Sequence, residues 1–417
     1  MKKAITILLS MLMILSFAGC SGNSSGQTGA APTGGAASTE GSAASGDAFK
    51  LGAFLQLTGG NAAVGIEARN SIQMAVKEIN SEGGLNGQQI QLIVYDTQGV
   101  AEQAVKVVSK LVQVDKVDFC IGSVNSAEVL AAGGILNDAG ITTIGLGTSA
   151  TWMKKDWPCV FRCAKNNSRA PMTTADMVKE LGLTSISIFK GQDDDSLGAA
   201  NIFKTECGKR GISVLAEESY DLGDTDFSAQ ITKLIKSNSQ AVYIAVNGET
   251  GPVIMKQLRQ YGYKGLVFDK ESFMYSQIAI AGKDNANYIA FANPYVTYAK
   301  AEDCDISNVR EFLEKYTKAY GSCAQTDSAY RGWDAMLVLK EAAKIAKSNK
   351  TDALKNGITQ IKGLKGLGGT IDFTKGDREG YAKTNKFILV DSKNVEFDKW
   401  IKDGGYEKYK KATGRKY

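Results

Sequence analysis

The 417-residue chain contains no histidine. That absence removes the commonest general base near neutral pH and the commonest metal ligand, so Ser-His-Asp, Cys-His and His-ligated zinc mechanisms are excluded. Its seven cysteines include no CxxC pair, which leaves a metal cluster without a ligand set. Charge of one sign is also scarce. Against 44 Asp and Glu stand 49 Lys and Arg, and a formal +5 is too small for a dedicated nucleic-acid binder. A hydrophobic content of 43% nevertheless rules out a disordered polymer. At roughly 100 to 200 residues per domain, the chain reads as two folded domains with no enzyme chemistry, metal or cofactor.

The first twenty residues read as an export signal. Lys2 and Lys3 form its charged segment, and the apolar run 4–17 is too short to span a bilayer as a permanent helix. The junction Phe17-Ala18-Gly19-Cys20 resembles a bacterial lipobox, with Phe17 standing where Leu is usual. Cys20 is therefore expected to be lipidated and to become the new N-terminus, anchoring the protein by acyl chains at roughly 0.8 kcal/mol per buried CH₂. Residues 21–48 are almost wholly Ser, Gly, Ala and Thr, with no large apolar side chain, and read as a flexible tether of roughly 30 Å reach.

From Phe49 onward short apolar runs alternate with amphipathic stretches: 51–55 then 62–80, 90–95 then 101–114, 117–121 then 127–138, and 141–146. Strands separated by helices of a dozen residues predict a parallel sheet covered on both faces. A second series follows, with strands at 185–189, 212–216, 241–246, 265–268 and 288–291 and helices at 196–210, 227–237, 250–261 and 273–281. Late helical patterns at 306–320, 328–347 and 353–361 lack a strand set of their own, so the chain must return to a sheet already built. Strands around 370–373 and 386–390 close the pattern.

Several stretches carry a resemblance: Leu57-Thr58-Gly59-Gly60 with Gly65, Gly83-Gly84-Leu85-Asn86-Gly87, Tyr95-Asp96-Thr97-Gln98, Ile121-Gly122-Ser123, Val160-Phe161-Arg162, and Gly369 through Arg378. In order and spacing they resemble the leucine/isoleucine/valine-binding family, the substrate-binding proteins of ABC importers. The resemblance implies a type I periplasmic-binding, or Venus flytrap, fold: two doubly wound α/β lobes joined by a three-crossing hinge. Crossings are expected near 166–168, 293–296 and 368–378. Lobe 1 would then comprise 49–166 plus 297–368, and lobe 2 would comprise 167–296 plus 369–417.

In open α/β sheets ligands bind beyond the carboxyl ends of strands, where helix N-termini offer unpaired N–H groups. Two junctions combine small residues with hydroxyls: Asn125 and Ser126 after the strand 117–121, and Gly147, Thr148 and Ser149 after the strand 141–146. By resemblance they hold the α-carboxylate of a bound amino acid; helix capping is a second role open to Asn125 and Ser126. The resemblance likewise assigns Glu271 to the ligand's α-ammonium. Val64, Asn247 and Gln192-Asp193-Asp194-Asp195 stand where leucine-type binders often carry aromatics. The Asp triplet either caps the next helix through its dipole or offers one member, Asp195, to a cationic or hydroxylated side chain. Trp152 either walls the cleft or packs beneath it.

Six cysteines remain for an exported body where oxidation is allowed. Cys304 with Cys323 flank one helical pattern, and Cys159 with Cys163 straddle one strand, making these the candidate bridges; Cys120 and Cys207 read as buried thiols. The expected partners are a small-molecule ligand, the permease subunits and the membrane through the lipid, with the protein itself a monomer outside the cytoplasm. Two other readings stay open: a sensor of the same fold, and a binder of a small amide or amine such as urea-type or polyamine solutes.

Overall fold

A computed structural model describes residues 48–416, apart from 165, 167, 222, 271, 272, 274, 382 and 383. The export signal, Cys20, most of the tether and Glu271 lie outside the described residues.

Five parallel strands build the first sheet: β1 (Phe49–Leu55), β2 (Ile90–Asp96), β3 (Phe119–Gly122), β4 (Thr143–Gly145) and β5 (Val160–Arg162), in the order β2-β1-β3-β4-β5. The second holds β6 (Ser185–Lys190), β7 (Ser213–Ser219), β8 (Ala241–Ala245), β9 (Leu266–Asp269) and β10 (Ile289–Ala292), all parallel. A short hairpin, β11 (Leu364–Gly366) and β12 (Gly369–Ile371), precedes β13 (Lys386–Val390) and β14 (Lys393–Glu396). β13 runs antiparallel to β10, giving the order β14-β13-β10-β9-β8-β6-β7. Strands such as β8, Ala-Val-Tyr-Ile-Ala, are buried at every position because helices cover both faces of a parallel sheet.

The late helices return to the first sheet, as their lack of strands requires. Helix Asp327–Ala346 lies along helix Ala62–Ser81 so closely that a Cβ on Gly332 would fall 2.4 Å from Ser71 Oγ and 2.8 Å from the Ala68 carbonyl oxygen. Only glycine permits that approach.

The chain passes between lobes three times. It does so after β5, after β10 and again ahead of β13. Asn385 ties two of these crossings together: its carbonyl accepts from Asn293 N at 2.9 Å, and its Nδ2 donates to the carbonyls of Pro294 and Gly368. At the centre Asp334 is fully buried and accepts from Leu367 N (2.8 Å), Gly368 N (3.2 Å), Tyr295 Oη (3.1 Å) and Tyr381 Oη. The third crossing comes later than the expected 368–378. Phe373 and Tyr381 are buried, Phe373 sits edge-on to Phe161, and Arg378 donates to four carbonyls between Met153 and Val160, so 369–381 stays with the first lobe.

The candidate disulfides are not formed; all six described cysteines are free and buried. Cys159 and Cys163 bracket β5, and four residues of extended chain hold Cα atoms about 13 Å apart, beyond the roughly 7 Å a bridge can span. Cys304 and Cys323 have other partners: Cys304 Sγ donates to the Ile306 carbonyl at 3.6 Å, and Cys323 Sγ lies 3.3 Å from Thr317 Oγ1.

Candidate ligand-binding site

The chain leaves β5 and β10 for the hinge at their carboxyl ends, so the carboxyl edges of both sheets flank the hinge. On the first lobe, Asn125 rather than Ser126 caps helix Ser126–Asp138, its Oδ1 accepting from Ala127 N at 3.0 Å. Ser126 Oγ therefore reaches across and accepts from Ser149 N at 3.1 Å, joining the two predicted loops. Ser149 in turn caps the short helix Ala150–Met153 through Thr151 N.

The second loop is pinned from within. Arg331 Nη1 donates to the Leu146 carbonyl at 2.9 Å, and Arg162 Nη1 donates to the carbonyls of Thr148 (3.2 Å) and Ser149 (2.9 Å). With those carbonyls held inward, the amides of Gly147 and Thr148 donate to no described residue. Trp152 settles the alternative left by the sequence: it is fully buried and packs under the loop. A Cβ on Gly145 would lie 2.7 Å from its ring, and one on Gly147 would lie 2.7 Å from Ser126 Oγ and 3.2 Å from the indole nitrogen. Small residues are required here by the indole, whatever a ligand adds.

Asp96 fixes the neighbouring loop. Its carboxylate accepts from Leu57 N (2.8 Å), Thr58 N (3.2 Å), Thr58 Oγ1 (2.6 Å) and Gln98 N (2.8 Å). Burial pushes its pKa up, but the bonds from Thr58, Gln98 and Leu57 outweigh that and hold it below the ordinary carboxylate range. Beneath, the buried Glu128 accepts from Thr97 Oγ1 at 2.8 Å, and burial raises its pKa.

On the second lobe, Asp193 caps helix Asp194–Lys209 through Ser196 N and Oγ and accepts from Asn247 Nδ2 at 2.7 Å. Lys270, at the end of β9 and only 8% exposed, donates to Asp195 Oδ2 and to Asn247 Oδ1, both at 2.5 Å. Asp195 and Asn247, assigned to the ligand from sequence, are thus engaged by a lysine that sequence alone marks only as the neighbour of Glu271. Arg162 and Arg331 likewise carry no role from sequence. A charged residue closing an apolar strand, as in Val160-Phe161-Arg162, was the available signal for the first.

Among the described residues no helix is long and apolar enough to cross a membrane, and no cluster of ligating side chains could hold a metal ion.

Residues 48–390 match the family model described as periplasmic binding protein. Among curated proteins the chain is 26% identical over 245 residues to Leu/Ile/Val-binding protein homolog 3 of Brucella melitensis, and 29% identical over 247 residues to a leucine-, isoleucine-, valine-, threonine- and alanine-binding protein of Pseudomonas aeruginosa. Each alignment covers 58% of this chain and 66% of the relative, just under two thirds of its length. Among solved structures it is similar to the branched-chain amino acid transporter substrate-binding protein LivJ of Streptococcus pneumoniae in complex with isoleucine. That match has a TM-score of 0.65 and 23% identity over 84% of this chain and 98% of the other. Two α/β lobes, three crossings and a family match across most of the chain lead to one conclusion: the chain belongs to the periplasmic binding protein family.

Proposed function

We propose that the protein is the extracytoplasmic solute-binding component of an ABC importer, anchored to the membrane by lipid on Cys20, and that it acts as a monomer. It closes two lobes around an amino acid and presents it to the permease. No bond of the ligand is made or broken. One observation carries the reading. Ser126 knits two loops at adjacent strand ends, while buried arginines hold the loop carbonyls inward, leaving the Gly147 and Thr148 amides as preorganised donors for a carboxylate. Glu271, immediately after Lys270, supplies the counter-charge for the α-ammonium. The wall formed by Asp193, Asn247, Asp195 and Lys270 is polar and favours a hydrogen-bonding side chain over a branched aliphatic one. Names of the relatives support the amino-acid class, as does the isoleucine complex of the structural neighbour.

The test is titration calorimetry against all twenty amino acids, small amides and polyamines, after release of any co-purified ligand. Saturable binding of an unaltered amino acid is expected, weakened about tenfold or more by Glu271→Gln, since a charge-assisted bond contributes roughly 1.5 to 3 kcal/mol. Binding of amides or amines alone would replace the amino-acid reading, and turnover of the ligand would end the transport reading. Cys20→Ser should move the protein out of the membrane fraction; continued retention there would count against the lipid.

A further inference from the structure

Arg162 closes β5 with its side chain fully buried, and its guanidinium faces two ways. One arm donates to the carbonyls of Thr148 and Ser149, beside the amides assigned to the ligand. The other donates to Glu379 Oε1 at 2.5 Å. Glu379 does not belong to the ligand loops. It lies on the segment that leads to the third crossing, paired with β5 through Arg162 N to the Arg378 carbonyl (2.9 Å) and Gly380 N to the Arg162 carbonyl (2.8 Å). Its carboxylate also accepts from Asn166 Nδ2 at 3.0 Å on each oxygen, and pairs with Arg169 Nη2 at 3.2 Å. Asn166 is in the first crossing, and Arg169 opens the first helix of the second lobe.

We propose that Arg162 is a positioning residue that couples ligand capture at the 147–149 loop to the angle between the lobes, acting through Glu379. The proposal rests on reading that loop as the carboxylate seat. Rotation of the second lobe displaces Asn166 and Arg169, and Glu379 follows because both grip it. A guanidinium is planar, with donors in a fixed fork, so one arm cannot tilt without the other. The hinge angle is therefore felt at the Thr148 and Ser149 carbonyls and at the neighbouring amides of Gly147 and Thr148. By reciprocity, a ligand that orders those amides favours one hinge angle.

The test uses Arg162→Lys, which keeps a charge opposite Glu379 but has no fork, with Glu379→Gln, their double variant, and Asn166→Ala as a milder change at a half-buried site. Three quantities are read on the full chain: the dissociation constant for the amino acid found by calorimetry, compaction on ligand addition by small-angle X-ray scattering, and amide hydrogen exchange across 147–152. Each single variant should weaken binding by about five- to 150-fold, the usual range for coupled sites, and reduce ligand-induced compaction. The double variant should be no worse than the poorer single, and Glu379→Gln should speed exchange across 147–152 although residue 379 lies outside the ligand loops. Additive losses, or lower melting temperatures with unchanged affinity, would assign the pair a purely structural role and overturn the proposal. If the unmodified protein binds no amino acid, the carboxylate seat fails on its own. Exchange needs no ligand and still decides the coupling, because unchanged rates in Glu379→Gln and Asn166→Ala would refute it.

Discussion

Replacing Asp334 by asparagine tests the hinge through its response to pH. Every donor that reaches this carboxyl among the described residues is neutral: two backbone amides and the hydroxyls of Tyr295 and Tyr381. Burial dominates these bonds and raises the pKa from 3.8 to about 6. The native state thus holds the proton in a range where the unfolded chain has released it. Its contribution to stability is complete below about pH 4 and is lost as pH rises through about 6. Two units at roughly 1.4 kcal/mol each amount to about 3 kcal/mol. The amide that replaces the carboxyl cannot titrate, and the other carboxylates cancel when the two proteins are compared. Urea unfolding of both, at intervals from about pH 4 to about pH 7.5, should show the unmodified protein losing most of that 3 kcal/mol relative to Asp334→Asn, the decline running between about pH 4 and 6 and levelling off above 6. A flat difference, or one that grows with pH in favour of the unmodified protein, would refute the account, whatever constant offset the amide introduces.

Asp96→Asn should cost about 1 to 3 kcal/mol at neutral pH, through lost charge-assisted bonds to the 57–58 loop. Because the folded pKa is depressed, that cost should vanish as pH falls below the ordinary carboxylate range, and acid titration of the stability difference checks the sign. Gly147→Ala should destabilise by about 1 to 3 kcal/mol and weaken ligand binding, since its methyl would lie 2.7 Å from Ser126 Oγ. Gly198→Ala, in a helix with no atom within 4 Å of the new methyl, should instead add up to about 1 kcal/mol of stability, read as a higher melting temperature. Thiol titration without reductant should find the six described cysteines unreactive in the folded protein and all six reactive in denaturant; Cys207, whose pKa burial raises to about 12, should be among the slow ones. Fewer than six after unfolding would reveal a bridge.

Much of the architecture was written in local pattern. Buried runs such as Ser-Ile-Ser-Ile-Phe and Ala-Val-Tyr-Ile-Ala, spaced by amphipathic helices, can do little but line up in a covered parallel sheet. Helix Arg169–Glu180 escapes such pattern, because Pro171 and adjacent Thr173 and Thr174 dilute its helical signal, and it forms by burying Pro171, Thr174, Ala175, Met177 and Val178. The candidate site was legible as strand-end loops but not as a set of bonds. Which of Asn125 and Ser126 would cap the helix depended on where Ser149 N came to rest. Arg331 reaches Leu146 across 185 positions, and Glu379 reaches Arg162 across 217. No window of sequence contains such pairs, and buried charge is paired only by the finished fold.

The seven-stranded sheet ends at β14 on one side and β7 on the other, and both borders resist further growth. β14 is four residues long and carries Lys393 and Glu396 at its limits. β7 carries Glu217, paired with Lys190 and Lys204, and Glu218, paired with Lys233. An incoming strand would have to strip water from those charges before gaining a ladder of backbone bonds. Copies of the protein crowded side by side are thereby kept from stitching their sheets into fibres.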